Sequence, residues 1–219
     1  MVNIGELEII AVENSLISKK EEILARELKK VANIELKKAK SRENLMQRML
    51  EFSNARKKLA EKNLEVIERK IKNKDILKIP EVVLNNEKEY SMYNDRVAKI
   101  QNKTAKIHKR IANIEKEIAE ERIKLANRKM ELSNERKQLA KSQISYIKKV
   151  KKSNPKDKIS DAQNLYLNKQ KDVESARKKV MKKITDIKNK ENNLASLKGE
   201  LSSALNELEK IKHSNISLG

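Results

Sequence analysis

The stretch that decides the fold is residues 107–146, IHKRIANIEKEIAEERIKLANRKMELSNERKQLAKSQISY. Within it one position recurs every seventh residue, as Ile111, Ile118, Leu125, Leu132, Leu139 and Tyr146. That period is the mark of a helix packed along one seam. A disordered chain has no cause to place large apolar residues so regularly. The companion position starts as Ile107 and Ile114 and then turns charged, as Glu121, Arg128 and Glu135, while Ile123, Met130 and Ile144 fill a neighbouring line. A stripe that widens and shifts in this way fits packing against two other helices.

Working outward, two more segments carry the same period. In the first, Leu45, Met49, Phe52, Leu59 and Val66 follow a heptad, with Leu24, Leu28 and Val31 upstream and Glu35, Lys38 and Arg42 interrupting. Such interruptions predict kinks or a change of packing partner. In the last, Val173, Ala176, Val180, Ile184, Ile187, Leu194, Leu197, Leu201, Leu205 and Leu208 form an almost continuous stripe. The breaks contain Pro80, with Ile76, Leu77, Ile79, Val82 and Val83 around it, and Pro155. Asn86 with Glu89, and Ser160 with Gln163, have the spacing of helix caps. The sequence therefore predicts three helices, 16–74, 87–152 and 160–212, spanning on the order of 90, 100 and 80 Å. Short connections make consecutive helices antiparallel. The expected fold is all-α: an elongated antiparallel three-helix coiled coil, bowed and dimeric, over residues 16–212. An apolar, acidic segment (1–15) precedes it and a tail (213–219) follows.

Composition agrees. Of 219 residues, 38% are charged and 2% aromatic, with three Gly, two Pro and no Cys. Sheets and tight turns need the residues that are scarce here. Without Cys there is no disulfide and no thiolate metal site. No apolar run approaches the roughly 20 residues that cross a bilayer. The first fifteen residues carry acids where an export signal carries bases, so the expected location is cytoplasmic. His108 and His213 lie far apart in sequence, Gly5, Gly199 and Gly219 stand singly, and a slender rod offers no concave pocket. Neither catalysis nor a cofactor is expected, and few aromatics leave no platform for stacking bases.

Charge is the remaining signal. The chain has 52 Lys and Arg against 32 Asp and Glu, a formal net charge of +20. Residues 141–190 alone sum to +11, whereas residues 191–219 sum to −1. A base-composition bias toward Lys, Asn and Ile would act on both. In the antiparallel fold Lys141, Lys148, Lys149, Lys151, Lys152, Lys156 and Lys158 gather at the turn between the second and third helices, joined by Lys169 and Lys171. Charge concentrated at one tip makes a local field that a uniformly basic chain lacks. Arg122, Lys129 and Arg136 lie seven apart on the second helix, either as flanking residues paired to neighbouring helices or as a basic face. Lys103, Lys106 and Arg110 carry the same ambiguity. Val2, Ile4, Leu7, Ile9, Ile10 and Val12 could lie in a lipid interface, but Glu6, Glu8 and Glu13 favour docking on protein.

Three long helices, Pro-containing breaks, interrupted heptads and a basic tip together resemble the BAR domain superfamily. The resemblance is architectural and covers nearly the whole chain. It implies a curved homodimer, peripheral on the membrane, that binds anionic lipid and senses or generates curvature. By position, Lys141, Lys148, Lys149, Lys151, Lys152, Lys156 and Lys158 match its tip contacts, and Lys129 with Arg136 its helical basic face. The acidic N-terminus departs from the insertion helix of some members. ESCRT-III and phage-shock proteins also use long basic hairpins, usually with an acidic C-terminal region that is short or missing here. The competing expectations are a structural coiled-coil scaffold, a membrane-remodelling polymer like the ESCRT-III and phage-shock proteins, and a non-specific DNA-binding architectural protein; no sequence-specific nucleic-acid contact is expected.

Overall fold

The computed structural model describes residues 3–73, 78–152 and 155–216, and the regular structure among them is entirely α-helical. Helix α1 runs Ile4–Lys72, α2 Glu81–Lys151 and α3 Lys156–Ile216. Three long antiparallel helices are what the heptads predicted. Their ends differ. Residues 4–15, read from the sequence as a separate segment that docks on protein, are the first turns of α1, with Leu7 and Ala11 buried. The tail residues 213–216 likewise continue α3.

The two prolines explain the other ends. They begin helices. The N–H groups of Val83 and Leu84 donate to the Pro80 carbonyl (3.1 and 3.3 Å), and that of Ile159 donates to the Pro155 carbonyl (3.2 Å). A proline there loses nothing, because an N–H in the first turn has no intrahelical acceptor and the ring presets φ. Asn86 with Glu89 and Ser160 with Gln163 therefore lie inside α2 and α3 and are not caps. Lys78, just before α2, has φ 50°, a left-handed conformation uncommon for a side-chain-bearing residue. Ile76 and Leu77 lie outside the described residues.

The helices divide into two compact units, Met1–Lys37 with Glu117–Glu191, and Lys38–Lys116 with Asn192–Gly219. In the first unit, α1 and α2 are antiparallel. Contacts run from Glu8 with Lys151, through Asn14 with Gln143 and Glu21 with Arg136, to Glu35 with Arg122. The seam between them is made of small residues seven apart: Ala11, Ser18, Ala25 and Ala32 on α1, Ala119, Ala126, Ser133 and Ala140 on α2, all buried. The Ser133 hydroxyl donates to the Ser18 carbonyl at 2.8 Å and fixes the register. In that register Ala11 lies opposite Ala140, Ala25 opposite Ala126 and Ala32 opposite Ala119. Small side chains let two helix axes approach closely.

This corrects the reading of α1. Its large apolar residues do not form the seam: Leu24, Val31, Leu45, Met49, Phe52, Leu59 and Val66 are all exposed, Phe52 by 71%. The seven-residue period was real but belonged to two stripes, and the buried one is mostly alanine and serine, with Met46 and Ile67 in the second unit.

The α2–α3 packing follows the sequence reading. In the first unit Ile118, Leu125, Leu132 and Leu139 of α2 are buried, as are Ala176, Val180 and Ile187 of α3, and Tyr146 stacks on Tyr166 with ring centroids 5.7 Å apart. In the second unit Ile107, Ile111, Leu197 and Ala204 form a buried cluster, extended by Ile114, Leu194 and Leu201. There α1 and α2 remain antiparallel, from Arg42 with Glu115 to Lys70 with Glu87. Helical structure is unbroken through Glu35, Lys38 and Arg42, and through Glu121, Arg128 and Glu135. The interrupting charges are taken up by partners: Glu121 by Lys183 (2.8 Å), Glu135 by Lys169 (3.5 Å) and Glu35 by Arg122 (2.7 Å).

Candidate basic surface at the α2–α3 turn

The last turn of α2 and the first of α3, both in the first unit, bring the predicted lysines together. Lys148, Lys149 and Lys151 sit in the last turn of α2, where cations complement the helix dipole. Lys156 and Lys158 sit in the first turn of α3 beside Asp157, where the dipole already favours an anion and the positive charges add to it. Helix stability alone would have placed acids there.

These lysines are not equivalent. Lys151 bridges to Glu8 of α1 at 2.7 Å, tying the start of α1 to the end of α2. Lys149 is half-buried, and its Nζ donates to the Lys158 carbonyl at 3.4 Å. Lys148, Lys152, Lys156 and Lys158 are exposed and have no ion-pair partner among the described residues. Lys141 is exposed on the rim of a hollow of about 300 Å³ that it shares with Ser142, Leu165 and Lys169. Lys169 itself is engaged, with Asp172 at 2.9 Å and Glu135 at 3.5 Å, and those partners hold its pKa above the usual lysine value.

The two helix-face candidates lie elsewhere. Arg136 is mostly buried on α1, its Nε 3.1 Å from Glu21 Oε2. The two atoms are not aligned for a hydrogen bond, so the contact is an ion pair only. Burial raises the Glu21 pKa, while Arg136 and then Lys129 pull it back down. Lys129 is half-buried near the same carboxylate. Arg122, of the same row, bridges Glu35 and Glu191. That row is flanking structure between helices. Lys103 and Arg110 likewise pair with Glu207 and Glu200 of α3.

One set of bases escaped the sequence reading. Arg177, Lys178, Lys179 and Lys182 are exposed on α3 and unpaired among the described residues, extending the positive surface away from the turn. The signal was present as the run Arg-Lys-Lys at 177–179. Beside them Ile10 and Asn14 of α1, Leu139 and Gln143 of α2, and Leu167 and Val173 of α3 line a groove of about 570 Å³. No cluster of three or more His, Asp or Glu among the described residues could hold a metal ion. No described helix is long and apolar enough to cross a membrane. What the arrangement offers chemically is dense positive charge for a multivalent anion. Comparison with known proteins finds no match to this chain: no family model, no curated protein and no solved structure.

Proposed function

We propose that this chain is a peripheral membrane-binding protein that docks on anionic lipid through the α2–α3 turn and works as a homodimer. One observation carries the reading: Lys148, Lys152, Lys156 and Lys158 are exposed and lack ion-pair partners among the described residues, while many bases elsewhere are bound to carboxylates. Each lysine near an anionic leaflet contributes about 1 kcal/mol, so four to six of them suffice for reversible docking. The antiparallel three-helix architecture is compatible with a BAR-like module, and the proposal extends to sensing or generating curvature. The test is co-sedimentation with vesicles of graded phosphatidylserine content and graded diameter, beside a duplex DNA gel shift in the same salt series. The proposal expects binding that rises with anionic lipid, favours one vesicle size and weakens steeply with salt. Tight DNA binding with no vesicle binding would overturn it.

A further inference from the structure

Helix α1 is apolar on two sides in the first unit, and α2 covers only one. Leu7, Ala11, Ser18 and Ala25 are buried against α2. On the other side Ile10, Ile17, Leu24 and Val31, again seven apart, are 44%, 39%, 63% and 51% exposed. Ile9, Leu16 and Ile23 are exposed beside them. A helix apolar around most of its circumference is ordinarily a buried helix.

The charges favour one occupant for this exposed face. Residues 3–18 hold Glu6, Glu8 and Glu13 and no base, whereas Lys19, Lys20, Arg26, Lys29 and Lys30 follow. Several of the charges are spoken for: Glu8 by Lys151, Glu21 by Arg136, Glu22 by Arg26 and Glu27 by Lys30. Glu6, Glu13, Lys19, Lys20 and Lys29 have no ion-pair partner among the described residues. An anionic leaflet would meet unpaired carboxylates at the Ile10 end. A second copy running the opposite way would bring its Lys20 to Glu13.

We propose that this face of α1 is the contact between two copies of the chain, packed antiparallel about a two-fold axis at Ile17. That operator sets Ile17 against the partner's Ile17 and Ile10 against the partner's Leu24. It also sets Glu13 beside the partner's Lys20, and by symmetry Lys20 beside the partner's Glu13. A two-fold contact must be self-complementary, and this segment is so in apolar spacing and in the Glu13–Lys20 pair. A parallel pairing would stack acids on acids and bases on bases. The proposal does not depend on lipid binding.

The chain has no Cys, so an introduced thiol is unique. With an added oxidant, Ile17→Cys gives a disulfide-linked dimer, because residues on the axis come within the roughly 7 Å between Cα atoms that a disulfide tolerates. Ile10→Cys and Leu24→Cys each stay uncrosslinked alone and crosslink when mixed. Sedimentation equilibrium supplies the second readout. Ile17→Asp, facing its own copy, weakens the dimer by roughly a hundredfold with helicity unchanged, since Ile17 is exposed in the single chain. Glu13→Lys weakens it by about tenfold, and adding Lys20→Glu restores it. A wild type that stays monomeric at tens of micromolar would overturn the proposal. So would equal self-crosslinking of Ile10→Cys and Ile17→Cys. Loss of vesicle binding by Ile17→Asp with dimerisation intact would make the face a lipid contact and overturn it too.

Discussion

Glu121 sits in a seam position of α2 where an apolar residue would ordinarily go, and it is ionised there because two lysines hold it. Hydrogen bonds from Lys124 and then Lys183 pull its carboxyl below the usual carboxylate range, against the opposing effect of burial. A depressed carboxyl contributes stability that is present above its unfolded value and is lost as the pH falls through its folded one. Glu121→Gln should therefore lower stability by about 1 kcal/mol at neutral pH, since Lys183 keeps Asp186 as a partner. The gap from wild type in urea denaturation should close as the pH drops below the carboxylate range. Arg136 and Lys152 separate structural bases from free ones. Arg136→Ala should lower stability by about 2 kcal/mol because it strands the half-buried Glu21. Lys152→Ala, at an exposed position, should leave thermal unfolding within the error of the wild type.

At the scale of elements, the α1–α2 seam works by closeness. An alanine buries little apolar area, but one every seventh residue on both helices lets the backbones approach and interlock. Ala25→Leu should force the helices apart and lose about 1–3 kcal/mol. Phe52→Ser, on a side chain 71% exposed, should cost less than about 0.5 kcal/mol of chain stability. A seam built from the large residues would give the opposite order, so chemical denaturation of the two variants decides between them. The period of α2 and α3 was readable because their seams use Ile and Leu, which announce burial by size. The α1 seam was present in the sequence with the same period, and Ala and Ser were passed over beside larger residues. The prolines misled for a related reason: a residue that cannot continue a helix is well suited to begin one.

At the scale of the whole molecule, the sequence showed where charge is dense, and the structure shows which charges are free. Clustering of Lys148, Lys152, Lys156 and Lys158 followed from antiparallel topology and was legible before any coordinates. That Lys151 is bound to Glu8, Lys169 to Glu135 and Arg136 to Glu21 was not, because such pairs depend on register between residues far apart in sequence. Pairing also dictates the decisive variant. Reversing Lys151 would set an acid against Glu8 and disturb the fold, so it should be left alone. The measurement is vesicle co-sedimentation of a chain carrying Lys148→Glu, Lys152→Glu, Lys156→Glu and Lys158→Glu, beside wild type, on vesicles rich in phosphatidylserine. The account predicts unchanged helicity and a loss of several kcal/mol, at least about a hundredfold in affinity. A reversed chain that sediments with the vesicles as fully as wild type would contradict it.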